Sequence, residues 1–299
     1  MPVQDSSRSK HSSPAAGKHK GAGRSADFTR SFEALGELAL DGVQVSARAT
    51  DLATGRVLLS VDDHVVMPAA GVGTVLLLIE VAARRGDADL GGYTILDREP
   101  LDAVAGSGIW QHLQAPSLPV SDLAALIGAT GDNLATNVLI RSVGLAAVRQ
   151  RAEELGLART ALLDVVRDVR GPDDAPHLSV ASAKELTGLF TSLARGEVVD
   201  QATSERVLAW LSLNADLSMV AGAFGLDPLN HRDADHGLLL VNKTGTDVGV
   251  RSDAGVLRGP RAGVAYAVSL GFADNRLSTR LAVIDGMRAF GLDLLEYVH

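Results

Sequence analysis

The junction at residues 67–74, Met-Pro-Ala-Ala-Gly-Val-Gly-Thr, runs straight into Val75, Leu76, Leu77, Leu78 and Ile79, and it constrains the fold more than any other stretch. Pro68 fixes its own φ and biases Met67 away from the helical region, so a helix starts after it. Gly71 and Gly73 leave the first turn without bulk. Residues 75–82 are apolar nearly all round, the pattern of a helix buried in a core rather than lying on a surface. The start of such a helix presents unpaired backbone N–H groups at the positive end of its dipole, a natural seat for an anion. It offers backbone donors and no side chain able to attack.

A helix of this kind needs a core around it. Hydrophobic residues make up 46% of the 299 positions and aromatics only 4%, so the core is aliphatic. The length fits one large domain or two interleaved ones. A net charge of −8 argues against nucleic acid as a partner, because phosphates are neutralised by Lys and Arg. The chain has no cysteine, hence no disulfide, no thiolate nucleophile and no Cys-based zinc site. Residues 1–26 carry Arg8, Lys10, Lys18, Lys20 and Arg24 against Asp5 in a background of Ser, Gly and Ala, and are expected to form a disordered tail. No apolar segment has the make-up of a secretory signal or the length of a membrane span, so the expected location is cytoplasmic, with no membrane partner.

The ordered chain begins with a helix capped at Ser25, with Phe28, Phe32, Leu35 and Leu38 at helical spacing. Residues 43–51 alternate as a half-buried strand, and residues 56–61 return as its hairpin partner after Thr54 and Gly55. Helices are expected at 122–129, 132–142, 145–155, 183–193 and 204–213, with 161–177 a long connection turning at Gly171, Pro172, Asp173 and Asp174. Strands at 237–242, 251–257 and 262–272 and a helix capped by Ser278 close the chain. A lone hairpin is not stable, so the two ends must meet in one five-stranded sheet. The expected class is α/β (α+β). Residues 27–61 and 215–299 form a discontinuous α/β unit, residues 62–214 an inserted helical unit, and a cleft lies between them.

Three motifs stand in order along this layout: residues 71–74; Gly131, Asp132 and Asn133 opening a mid-chain helix; and Lys243, Thr244 and Gly245 on a strand. With the loop Gly106, Ser107, Gly108 and Ile109, they resemble the penicillin-recognising serine hydrolases, class A β-lactamases above all, whose motifs are Ser-x-x-Lys, Ser-Asp-Asn and Lys-Thr-Gly. The resemblance covers nearly the whole chain after the tail and implies that family's five-stranded antiparallel sheet, flanking helices and helical insertion.

The resemblance also shows what has changed. Gly71 stands where the family has its nucleophilic serine, Thr74 where it has the activating lysine, and Gly131 where the second motif has its serine. The connection 165–174 has no glutamate to activate a deacylating water, and Asp168, Asp173 and Asp174 read as solvated turn acids. What the resemblance leaves is a binding site. It comprises the charge of Lys243, the hydroxyl of Thr244, the open backbone of Gly245, the amide of Asn133, the guanidinium of Arg251, and an oxyanion hole from the N–H groups of Gly71 and Thr246. Asp132 is expected to brace the loop, and Asn133 to share that bracing. Ser107 is expected to bond its own loop, and Thr130 to point elsewhere. Trp110 is expected in the cleft wall and Trp210 in the core. The run from His231 to His236 matches no zinc signature, and neither metal nor cofactor is expected.

The expectation is a β-lactamase-like protein without hydrolytic activity that binds a small carboxylate, a β-lactam-like ligand or a protein partner, with homo-oligomerisation left open. The alternatives are a repurposed non-covalent lyase or isomerase of secondary metabolism, or a residual β-lactam or ester hydrolase. Removing the nucleophilic machinery of a serine hydrolase costs about a million-fold in rate, which is why binding ranks first.

Overall fold

The computed structural model describes residues 27–84, 86, 90–232 and 237–299. The tail at 1–26, the cap at Ser25 and residues 233–236 lie outside the described residues.

Helix α1 (Thr29–Leu40) leads into strands β1 (Gln44–Asp51) and β2 (Val57–Val61). After the short β3 (Met67–Pro68) come α2 (Thr74–Ala83), β4 (Ile95–Asp97) and β5 (Ser117–Pro119). Helices α3 (Val120–Thr130), α4 (Asn133–Val143) and α5 (Leu145–Glu154) follow. Then come β6 (Ala161–Leu162), β7 (Ser179–Ala181), α6 (Ala183–Arg195) and α7 (Gln201–Leu211). The chain closes with β8 (Leu239–Asp247), β9 (Val250–Arg258), β10 (Gly263–Gly271) and α8 (Leu277–Val298).

The main sheet is antiparallel and ordered β2-β1-β10-β9-β8, so the two ends of the chain meet where β1 pairs with β10. Alternation along β10 divides the core. Val264, Tyr266 and Val268 pack with α1 and α8, while Ala265 and Ala267 face the second cluster, which holds α2, α6 and the other helices. The expectation of a half-exposed β1 is corrected here. Helix α6 packs across β1, β9 and β10, so Ser46 and Thr50 on the second face are buried as well. Phe32 is also out of place in the expected stripe of α1, since it is exposed while Leu35 and Leu38 are buried. Phe28 precedes α1 in the left-handed region at φ 56°.

Helix α2 is the axis of the second cluster, with every residue from Thr74 to Ala82 buried. Its one charged residue, Glu80, is held by Arg84 one turn on and by Arg151 of α5 at 2.8 Å. A buried carboxylate is tolerated only when paired in this way. The connection at 161–177, expected to be irregular, contains β6, which with β3 and β7 forms a small three-stranded sheet at the entrance to α2.

Candidate functional site

The entrance to α2 is a single 3-10 turn, Ala70–Gly73, squeezed between two backbones. On one side is β7: Ser179 Oγ donates to Ala70 O at 2.7 Å, and Ala69 N donates to Ser179 O at 3.1 Å. A Cβ on Gly73 would lie 2.2 Å from Ser179 Cβ, so only glycine fits there. On the other side is β8, where a Cβ on Gly245 would lie 2.4 Å from Ala69 O and 2.8 Å from Gly71 N. Between them Ala70 is held at φ 45°, a left-handed conformation costing a non-glycine residue about 1–3 kcal/mol.

A cleft of about 570 Å³ opens above this turn, lined by Gly71, Gly131, Asn133, Lys243, Thr244 and Thr246 among others. The structure therefore brings together most of the residues expected at the site. A Cβ on Gly71 would lie 3.1 Å from Thr244 O and 3.7 Å from Lys243 Nζ. Thr74 turns its hydroxyl back onto the preceding turn, donating to Gly71 O at 2.8 Å, and is buried. Gly131 ends α3 in the left-handed region at φ 60°, and a Cβ there would lie 3.3 Å from Lys243 Nζ.

Asp132 is buried and accepts three backbone N–H groups, from Ala135 at 2.9 Å, Ile109 at 2.7 Å and Trp110 at 2.8 Å. It thus caps α4 and ties down the loop that overhangs the cleft. Asn133 adds a second tie, its Nδ2 donating to Ala105 O at 2.9 Å. Ser107 lines the cleft and is exposed. Thr130 returns its hydroxyl to Leu126 O at 3.0 Å.

Lys243 is 2% exposed, yet it lines the cleft. Its Nζ donates to Thr244 O at 3.0 Å. Among the described residues it forms no ion pair within 4.0 Å. Burial lowers its pKa to about 8, against the opposing pull of Asp216 and Asp253. Beneath it lies a polar chain that the sequence did not reveal. Asn214, at the cleft, donates to Asn242 Oδ1 at 2.9 Å, and Asn242 donates to Asp253 Oδ1 at 3.0 Å. Asp253 is fully buried, and burial raises its carboxyl to about 7, although the bonds from Asn242, Tyr266 and Val220 N work the other way.

Two placements differ from expectation. Arg251 is not among the residues lining the cleft. Its Nη1 donates to the carbonyls of Asp247 at 3.0 Å and Val250 at 2.7 Å, and its guanidinium lies over the Phe272 ring at 5.9 Å. Trp110 is no cleft wall: it is completely buried in the core, its indole N–H donating to Ala115 O at 3.0 Å. Trp210 packs in that core too.

The connection at 165–174 passes beside the cleft and is held by Asn137, which sequence reasoning missed. Its Nδ2 donates to Val166 O at 3.0 Å and its Oδ1 accepts from Val166 N at 2.8 Å. The signal was present: Asn133 and Asn137 stand four residues apart and share one face of α4. Asp168 is exposed but not idle, since it lines the cleft and accepts Ala105 N at 2.9 Å. Asp174 closes its own turn by accepting Gly171 N at 2.7 Å. Asp173 faces solvent. Among the described residues no group of three His, Asp or Glu side chains is placed to hold a metal ion, and no helix is long and apolar enough to cross a membrane.

Comparison with solved structures gives the same fold. A β-lactamase from Sphaerobacter thermophilus is 23% identical, with 88% of this chain and 96% of that chain covered, at a TM-score of 0.76. PBP-A is 19% identical, with 88% and 94% covered, at 0.73. A class A β-lactamase from Mycobacterium abscessus is 18% identical, with 87% and 97% covered, also at 0.73. No curated protein sequence matches the chain. The family model described as the β-lactamase enzyme family matches residues 27–298, nearly everything after the tail. With that match and the fold in agreement, the chain belongs to the β-lactamase enzyme family.

Proposed function

We propose that this protein binds a small carboxylate in its cleft and does not hydrolyse β-lactams. One observation carries the reading: at the head of α2, where the resemblance puts a nucleophile, Gly71 presents backbone alone beside Lys243. Thr74, in the place of the activating lysine, spends its hydroxyl on Gly71 O. The connection at 165–174 has no glutamate, and its cleft-lining Asp168 is engaged in accepting Ala105 N. A cationic amine, a threonine hydroxyl and the backbone of Gly71 and Thr246 remain along the same wall. That set suits a carboxylate, with electrostatics and backbone donors doing the holding.

The test has two arms. Intact-mass measurement after incubation with a reporter penicillin should show unmodified protein; a stoichiometric adduct at any residue ends the proposal. Titration with glycolate, followed by amide NMR, should move the resonances of Gly71 and Thr246. Lys243→Met should weaken that binding about 10- to 100-fold, the worth of one hydrogen bond to a charged group. Glycolate that leaves both resonances in place would refute the reading.

A further inference from the structure

Lys243 has more chemistry available than anion binding uses. An ammonium carries three donors, and Nζ uses one of them, on Thr244 O at 3.0 Å. No carboxylate among the described residues lies within 4.0 Å to fix it as a cation. The side chain is 2% exposed but belongs to the wall of a cleft of about 570 Å³. Gly71 and Gly131 stand beside the nitrogen, and both lack the carbon that would crowd it. Ideal Cβ positions there would lie 3.7 and 3.3 Å from Nζ, so no side chain of either residue screens the amine from the cleft that it lines.

We propose that Lys243 captures the carbonyl carbon of a small aldehyde or keto acid as a reversible imine. The carboxylate half of this ligand rests on the reading given under Proposed function; the carbonyl half does not. The neutral amine donates its lone pair to the carbonyl carbon, a C–N bond forms, and the C=O π pair moves to oxygen. Gly71 and Thr246 line the same cleft and can offer backbone N–H groups to that oxygen. One nitrogen proton passes to it, giving a carbinolamine. The hydroxyl then leaves with the second nitrogen proton as water, and C=N remains. No oxidant or reductant is needed, and water reverses the reaction. Burial supports the step by lowering the amine to about 8, which raises the neutral fraction at pH 7–8 far above that of a lysine titrating at 10.5.

The experiment treats the full-length protein with glyoxylate and cyanoborohydride at pH 7.5 and maps carboxymethyl groups by peptide mass spectrometry. Lys184, exposed on α6, is the internal reference. Lys243 should be labelled at least about ten-fold faster than Lys184, as its lowered pKa and cleft position require. An inert buried lysine would instead lag behind Lys184, and that result overturns the proposal. Lys243→Arg keeps the cation and should leave labelling at Lys184 unchanged, with no label at position 243. Glycolate, which has the carboxylate but no carbonyl, separates the two readings. If it binds while Lys243 stays unlabelled, capture is wrong and carboxylate binding stands. If Lys243 is labelled and glycolate gives no protection, capture stands and the carboxylate reading falls.

Discussion

Putting back the three missing side chains tests whether the cleft is a hydrolase site with its reactive atoms removed. The variant is Gly71→Ser, Thr74→Lys and Gly131→Ser. A serine Cβ at 71 meets Thr244 O at 3.1 Å, a contact relieved by a shift of a few tenths of an ångström. Thr74→Lys loses the bond to Gly71 O, worth about 1 kcal/mol. Gly131→Ser puts a side chain at φ 60°, costing about 1–2 kcal/mol. The sum is about 3 kcal/mol, below the roughly 5–15 kcal/mol that holds a typical domain together, so the variant should fold with a lowered Tm. Restoring a serine with its base should return much of the roughly million-fold that losing such machinery costs. Intact-mass measurement with a reporter penicillin should therefore show one acyl group at Ser in place of Gly71. The adduct should persist, because the connection at 165–174 has no glutamate to activate water. A variant with native circular dichroism and no label would refute the positional assignment of 71, 74 and 131. Rapid turnover would refute the claim that nothing here activates water.

Two further outcomes follow from the packing and the buried charges. Gly245→Ala drives a methyl to 2.4 Å from Ala69 O and 2.8 Å from Gly71 N, atoms of backbone that cannot rotate away. The loss should be about 3 kcal/mol or more by urea denaturation, with the glycolate-induced NMR shifts abolished; an unchanged midpoint would contradict the close approach of β8 and the turn. Asp253, raised from 3.8 to about 7, holds its proton more tightly folded than unfolded, so its contribution is full below 3.8 and is lost as pH rises through about 7. Lys243, lowered from 10.5 to about 8, opposes folding below 8, and that opposition is relieved as pH climbs toward 10.5. Between pH 5 and 7.5 the parent protein should lose stability relative to Asp253→Asn; parallel pH profiles would show that the carboxyl is not perturbed.

The path of the chain was legible because its signals are local and periodic. The apolar run behind Gly73 and the strands at both ends of the chain follow from local pattern, the pairing of those ends follows from the instability of a lone hairpin, and the structure has each of them. The gathering of Gly71, Gly131 and Lys243 was legible only through the order of the motifs, since no local pattern joins residues so far apart. What stayed hidden depends on what covers a face. Asp253 in β9 looks like a solvent-facing strand acid until Tyr266, Asn242 and Val220 N are seen around it. Ser46 and Thr50 looked exposed because nothing in β1 announces α6 above them. Arg251 was expected in the cleft, and its guanidinium instead bonds the carbonyls of Asp247 and Val250 beside its own strand start.

The left-handed Ala70 has a consequence for any side chain placed at its neighbour. Such a posture is costly, and it is held because Ser179 and Gly245 clamp the turn from either side. The clamp is made by groups outside position 71, so a substitution there inherits a turn whose path is already set by its surroundings.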